Sequence, residues 1–201
     1  MDCVYWLNDL NIDIALESMQ LQYPHVTILT LGNQAHAQIG TNGFKQDFEN
    51  TSNLIMVLWY KSHWVTVTNI DTGRSTLPIS TENVPIFVYD SFDNATYLNS
   101  LQLTLNTMFP TKGEYIIHKA KIWYPQVGAN DCGLFALAYV KALCLNLEPS
   151  LVTFCQSTMR HEYNEFIERN LIDYRVNIIS NLTSSHNSVM TPYKIQLSLL
   201  Q

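Results

Sequence analysis

An α+β domain is the fold class predicted by the order of apolar patterns along the chain. An amphipathic helical pattern comes first, a block of strand-length apolar runs follows, and helical patterns fill most of the rest. Hydrophobic residues make up 47% of the 201 positions and charged residues 14%, enough for a sizeable core and too apolar for disorder. There are no internal repeats. The expected layout is one domain over residues 1–180, with the Ser/Asn/Thr-rich stretch 181–201 as a flexible C-terminal tail.

Asn8 or Asp9 caps the first helix, which carries Ile12, Ile14, Ala15, Leu16 and Met19 and ends at Tyr23-Pro24. Residues 30–53, rich in Gly, Asn and Gln, read as loops around a short connecting element. The continuous apolar run Leu54–Tyr60 has the length of a buried strand. After a turn at Lys61-Ser62, Val65 and Val67 alternate with Thr66 and Thr68 in a second strand opened by His63. Asp71-Thr-Gly-Arg begins a polar insertion reaching Pro85, and Ile86–Asp90 is a third strand. A helix over 96–109 stops before Pro110, and Tyr115–His118 with Lys121–Tyr124 supply one or two more strand pieces. An almost uncharged helix runs from Cys132 to about Asn146. A charged one spans about 156–170, with Met159, Tyr163, Phe166 and Ile167 at helical spacing.

The net charge of −6 and the lack of clustered Lys and Arg argue against nucleic-acid binding. No apolar run approaches the roughly 18 residues needed to span a membrane, and Met1–Trp6 lacks the basic and long apolar regions of a signal peptide. Four cysteines (Cys3, Cys132, Cys144, Cys155) show neither zinc-like pairing nor disulfide-scaffold density, which fits a reducing intracellular compartment. The Asn-x-Ser/Thr triplets at Asn50, Asn94 and Asn181 are read as chance.

The segment from Trp123 to Val140 is the most informative. It sets Cys132 between a polar loop and a buried helix, where the dipole and the free N–H groups of the first turn favour a thiolate. Gln126, six residues upstream, can aim its amide at the oxyanion that such a thiolate creates. Asp131 caps the helix, and Gly133 allows close backbone approach. Cys144 and Cys155, in apolar context, are expected in the core, and Cys3 is incidental.

Thiol chemistry needs a base. Of six histidines, His25, His36, His161 and His186 read as solvated or structural, and His118 is open. His63 opens a strand directly after a turn, beside Trp64. If its strand is the antiparallel neighbour of the one ending at Asp90, the two residues meet at one sheet edge, and Asp90 can hold the imidazole. The bland alternative makes Asp90 a turn former with Ser91; Asp93 is a competitor past the strand end.

His63-Trp64, Val88-Tyr-Asp-Ser91 and Gln126-x5-Cys132-Gly133, in that chain order, resemble the ubiquitin-like-protease family of cysteine peptidases, which cut SUMO and related modifiers. Trp6-Leu-Asn-Asp9 looks like the family's substrate-side opening motif, and the helix with Met159-Arg160 fits too. Trp6–Leu10 with Tyr23-Pro-His25, and Asp131–Ala136 with Ala142-Leu-Cys144, look most like divergent members encoded by mobile elements and viruses of animals. The resemblance implies a papain-like cysteine protease fold, with a central, mostly antiparallel sheet packed by helices and the nucleophile at a helix N-terminus. It implies Cys132 as nucleophile, His63 as base and acid, Asp90 as its orienter, and Gln126 with the Cys132 backbone N–H as oxyanion hole. Trp6, Asp9 and Trp64 would bind substrate, the two indoles walling a tunnel for a Gly-Gly tail. No cofactor or metal is implied. The partner would be a ubiquitin-like modifier or a protein with a glycine-rich cleavage site, met by a monomer.

The insertion over 71–85 separates His63 from Asp90 by more than the family pattern, as a hairpin loop can tolerate. Two other readings stand beside the peptidase: an acyltransferase on the same fold, and a non-catalytic module that binds a modifier.

Overall fold

A computed structural model describes residues 6–31, 51–60, 62–72, 83–94, 98–108, 114–168, 178–181 and 191–193. Helix α1 covers Asp9–Gln22, opened by a capping box: the Asn8 side chain accepts from the Asn11 N–H, and the Asn11 side chain accepts from the Asn8 N–H. The capping residue is therefore Asn8. Ile12, Ala15, Leu16 and Met19 recur at helical spacing and are fully buried.

Strands β1 (Thr27–Leu29), β2 (Leu54–Tyr60), β3 (His63–Thr68), β4 (Asn83–Tyr89) and β5 (Glu114–Lys119) lie in that order in one sheet, and a late strand, β8 (Thr191–Tyr193), completes its far edge. The β2–β3, β3–β4 and β5–β8 pairings are antiparallel, while β1–β2 and β4–β5 are parallel. The mostly antiparallel α+β fold expected from the sequence is present.

Both faces of this sheet are covered, so β2 reads as an unbroken apolar run rather than an alternation. Ile55 and Val57, with Phe87, Tyr89 and Trp64 from the neighbouring strands, face helix α3 (Cys132–Cys144), all of whose residues are buried. Leu54, Met56, Leu58, Val65, Val67, Ile86 and Val88 face the other way, toward Leu98, Leu101 and Leu105 of helix α2 (Leu98–Met108). Helix α4 (Gln156–Glu168) packs Met159, Tyr163 and Phe166 into the α3 side. The Tyr163 hydroxyl donates to the Asn11 carbonyl at 2.8 Å, tying the last helix to the first.

Several elements depart from the sequence expectation. The three-residue β1 is too short to show a period. Only one strand, β5, forms in 114–124. Pro85, expected to close the insertion, lies inside β4; residues 73–82 of that insertion and residues 32–50 of the expected loop lie outside the described residues. After a 3-10 turn at Pro149–Leu151, β6 (Val152–Phe154) pairs antiparallel with β7 (Ile178–Asn181) in a small second sheet. Within the stretch expected as a tail, Thr191–Tyr193 bonds to β5 as the sheet's edge; residues 182–190 and 194–201 lie outside the described residues.

Candidate active site

The antiparallel β3–β4 register sets Thr66 opposite Tyr89 and Val67 opposite Val88, so the start of β3 adjoins the end of β4. Following that register, His63 and Asp90 meet: His63 Nε2 lies 2.6 Å from Asp90 Oδ1. Asp90 is fully buried and saturated with donors. Its Oδ1 also accepts the Phe92 N–H at 2.9 Å, and its Oδ2 accepts the Asn94 N–H at 2.8 Å. Asp90 is thus both the turn former and the partner of His63. Burial alone would raise its pKa, but the bond from His63 and the two backbone N–H groups outweigh this and hold it below the usual carboxylate value.

The mirror effect acts on His63. Burial works against the cation, but the Asp90 bond and then the adjacent Cys132 thiol outweigh it and raise the imidazole to about 9. The second ring nitrogen, Nδ1, is buried and has no partner within hydrogen-bond geometry among the described residues, while the Cys132 side chain is near enough to raise the imidazole. The Phe92 ring stacks over the imidazole at 4.6 Å between centroids and is itself 44% exposed, forming an apolar lid on the pair.

Cys132 is the first residue of α3 and is buried. The helix is pinned against β3 by Thr66, whose hydroxyl donates to the Ala136 carbonyl at 2.9 Å. Gly133 explains the closeness on the other side: a Cβ there would stand 3.0 Å from Leu7 Cβ and 3.2 Å from Trp64 Cδ1.

Gln126 is buried and oriented by the same turn that holds His63. Ser91 Oγ donates to its Oε1 at 2.5 Å, its backbone N–H donates to the Ser91 carbonyl at 3.0 Å, and its Nε2 donates to the Gly128 carbonyl at 2.8 Å. An amide nitrogen carries two hydrogens, so one is left to point elsewhere. The successive residues Asp90 and Ser91 therefore set the two arms of the site. Ser91 was visible in the sequence as a turn former and as the end of the Val88–Ser91 motif; its spacing from Gln126 gave no signal of the contact.

The aromatic wall differs from expectation. Trp6 is 41% exposed and its Nε1 donates to Asn130 Oδ1 at 2.6 Å, which ties it to the loop before Cys132. Trp64, expected to face it, is buried at 2% exposure, with its Nε1 donating to the Leu7 carbonyl at 3.0 Å. Trp59 is the second exposed indole, at 46%. It is the cross-strand partner of Trp64 in the β2–β3 hairpin, so both indoles fall on one sheet face. Centroids are 4.7 Å apart for Trp59–Trp64 and 5.8 Å for Trp59–Trp6. The all-apolar run of β2 hid Trp59, since nothing in its pattern marks which end leaves the core. Asp9 is exposed in the first turn of α1.

The remaining candidates fall outside the cluster. Asp93 pairs with Lys119. His118 is buried and stacked on Phe87 at 5.1 Å, and burial depresses its pKa. His25 Nε2 lies 3.1 Å from the Cys144 carbonyl oxygen, and His161 is exposed beside Glu165; His36, His186 and Cys3 lie outside the described residues. Cys144 is a core thiol, pushed up to about 12 by burial. Cys155, expected in the core, is instead half-buried, with its sulfur 3.3 Å from the Ser157 hydroxyl oxygen. Asp131 occupies the cap position of α3 but makes no side-chain cap bond; its carboxylate is turned to Arg160 and Gln156 of α4. Among the described residues no cluster of His, Cys, Asp and Glu could hold a metal, and no helix is long and apolar enough to cross a membrane.

Together these features define a class by fold: an α+β sheet with a buried cysteine at a central helix N-terminus and a His–Asp pair at the adjoining strand ends. Solved structures share the fold. The chain is similar to the C-terminal Ulp1 protease domain solved in complex with Smt3, the yeast ortholog of SUMO, with a TM-score of 0.56 at 13% identity, covering 86% of this chain and 80% of that one. It is likewise similar to the SUMO protease Ulp1 with its catalytic cysteine oxidised to a sulfenic acid, with a TM-score of 0.56 at 15% identity, covering 86% and 81%. At these identities the likeness is one of fold. No protein-family model and no curated protein matches the sequence.

Proposed function

We propose that this chain is a cysteine peptidase or isopeptidase. It would cleave after a small-residue, Gly-Gly-like tail of a ubiquitin-like modifier, or at such a site in a polyprotein, through a thioester intermediate. The carrying observation is the state of His63: one ring nitrogen bonded to a buried carboxylate at 2.6 Å, the other unbonded beside the thiol at the start of α3. The SUMO-protease fold and the family motifs add to it.

In this reading His63 Nδ1 already holds the proton that Cys132 gives up, since the raised imidazole is a cation near neutral pH, and Asp90 keeps the ring in place and supports its charge. The sulfur attacks the carbonyl carbon of the tail's last residue. The oxyanion is met by the second Gln126 amide hydrogen and the Cys132 backbone N–H. The imidazolium then protonates the departing amine, and water hydrolyses the thioester with His63 again as base. The exposed indoles of Trp6 and Trp59 flank the approach, which favours residues without side chains. A ubiquitin-like modifier is the partner class this supports, and an origin in a mobile element or virus follows the sequence resemblance.

Coumarin amides of the C-termini of SUMO and ubiquitin test the reading, with Cys132→Ala as control. Release of coumarin by the wild-type chain alone is the expected result. No release from any modifier, together with acetyl transfer from acetyl-CoA, would replace the peptidase by an acyltransferase; binding without release would make it a modifier-binding module.

A further inference from the structure

Asp131 is in an unusual state for a helix cap. Its carbonyl accepts the first intrahelical bond, from the Phe135 N–H at 3.0 Å, so its backbone is in the cap position. A cap carboxylate ordinarily accepts from the second or third N–H of its helix, here Gly133 or Leu134. This one does neither. Its Oδ1 is taken by Arg160 Nη2, and its Oδ2 accepts Gln156 Nε2 at 2.8 Å. The same two α4 side chains grip the loop leading to Cys132. Gln156 Oε1 accepts the Val127 N–H at 2.9 Å, its Nε2 donates to the Val127 carbonyl at 2.7 Å, and Arg160 Nη2 donates to the Asn130 carbonyl at 3.3 Å. Both amide hydrogens of Gln156 and its oxygen are engaged, and all three side-chain bonds go to the segment between Gln126 and Cys132.

We propose that Arg160 and Gln156 are positioning residues that hold the Asp131 carboxylate off the N-terminus of α3. The Cys132 N–H is thereby kept clear of a competing negative charge, and the Gln126 loop is set in register. This inference rests on the acyl-transfer chemistry proposed above. A carboxylate bonded to the Gly133 or Leu134 N–H would cancel the positive end of the helix behind the Cys132 N–H and place a like charge beside the developing oxyanion, which a buried site amplifies. Arg160 removes both effects by neutralising the carboxylate and turning it toward α4. Both residues act through Asp131 and the loop before Cys132, so neither is a catalytic residue.

The test is a double-mutant cycle on the full chain with Arg160→Gln, Asp131→Asn and their combination, and Gln156→Met as a second route should Arg160→Gln fail to fold. Acylation is followed by the p-nitrophenyl acetate burst, which needs no tail recognition, and thiol access by iodoacetamide, which needs no oxyanion hole. Arg160→Gln is expected to slow the burst about 10- to 100-fold and leave alkylation within about threefold. Adding Asp131→Asn should recover most of the loss, an outcome that a merely structural role for Arg160 would not give. An unchanged burst, a parallel fall in alkylation, or no rescue by Asp131→Asn overturns the proposal. Amide NMR of Gly133 and Leu134 reads the same event without turnover. Arg160→Gln should shift both signals in a way that titrates as a carboxylate and vanishes in the double variant, and unmoved signals overturn it. A wild-type chain with no burst above Cys132→Ala would count against the acyl-transfer reading alone, with the NMR arm still deciding the position of Asp131.

Discussion

At the scale of single residues, the site depends on how one carboxylate is held. Asp90 meets three donors, of which only His63 is ionisable, so its charge is fixed before any reaction begins. Asp90→Asn should leave the fold intact and lower coumarin release by about 10²- to 10⁴-fold; an unchanged rate would mean that another group orients the imidazole. The same contact predicts a pH dependence. His63 is raised from 6.5 to about 9, so the stabilisation it draws from Asp90 is fully present below pH 6.5 and is lost as pH climbs through about 9. The difference in unfolding free energy between wild type and Asp90→Asn, measured by urea titration, should therefore be largest between pH 3.8 and 6.5, shrink toward pH 9, and fall again in acid as Asp90 is protonated. A difference that grows from pH 6.5 to 9 contradicts the pairing. His63, Asp90 and Cys132 could be located from sequence because each sits at the end of a strongly patterned element, and Gln126, in the loop before α3, only through its spacing from Cys132. Trp59, Ser91 and Phe92 could not, because their roles come from contacts across strands and turns.

At the scale of elements, α3 is the part whose packing fixes the thiol. Gly133 lies so close to Leu7 and Trp64 that an added methyl requires Leu7 and the buried indole to give by a few tenths of an ångström. Overpacking of this kind costs about 1–3 kcal/mol, against a helix-propensity gain of at most about 1 kcal/mol for Gly→Ala. Crowding wins, and Gly133→Ala should lower the thermal midpoint by a few degrees and slow turnover by shifting Cys132. A higher midpoint would show that the neighbours yield. The long elements were legible from period and length: α1, β2, β3 and α3 lie close to where the apolar pattern puts them. The three-residue β1, β6 and β8 were not, since a strand that short has no period and exists only through its partner. Asp131 shows the same limit in another form. Its residue type and position predict a cap, and only the arrival of α4 from 25 residues downstream redirects it.

At the scale of the whole molecule, the sheet extends beyond the expected domain end at residue 180. Thr191–Tyr193 pairs with Ile117–Lys119 and covers what would be an open edge. A chain ending at residue 181 should therefore unfold several degrees lower than the full chain by calorimetry, while an equal midpoint would place β8 outside the cooperative unit. The architecture was readable from the order of apolar patterns, whereas the edge strand was hidden in a polar segment with no core signal of its own. What joins the scales is a thiol at the head of a buried helix and a histidine tuned by a strand-end carboxylate. Intact-mass and peptide mapping after incubation with SUMO and ubiquitin bearing a C-terminal propargylamide measures that most directly. One modifier attached at Cys132, lost in Cys132→Ala and sharply slowed in His63→Ala, is the predicted result; no adduct with any modifier, or attachment at Cys155 instead, would contradict it.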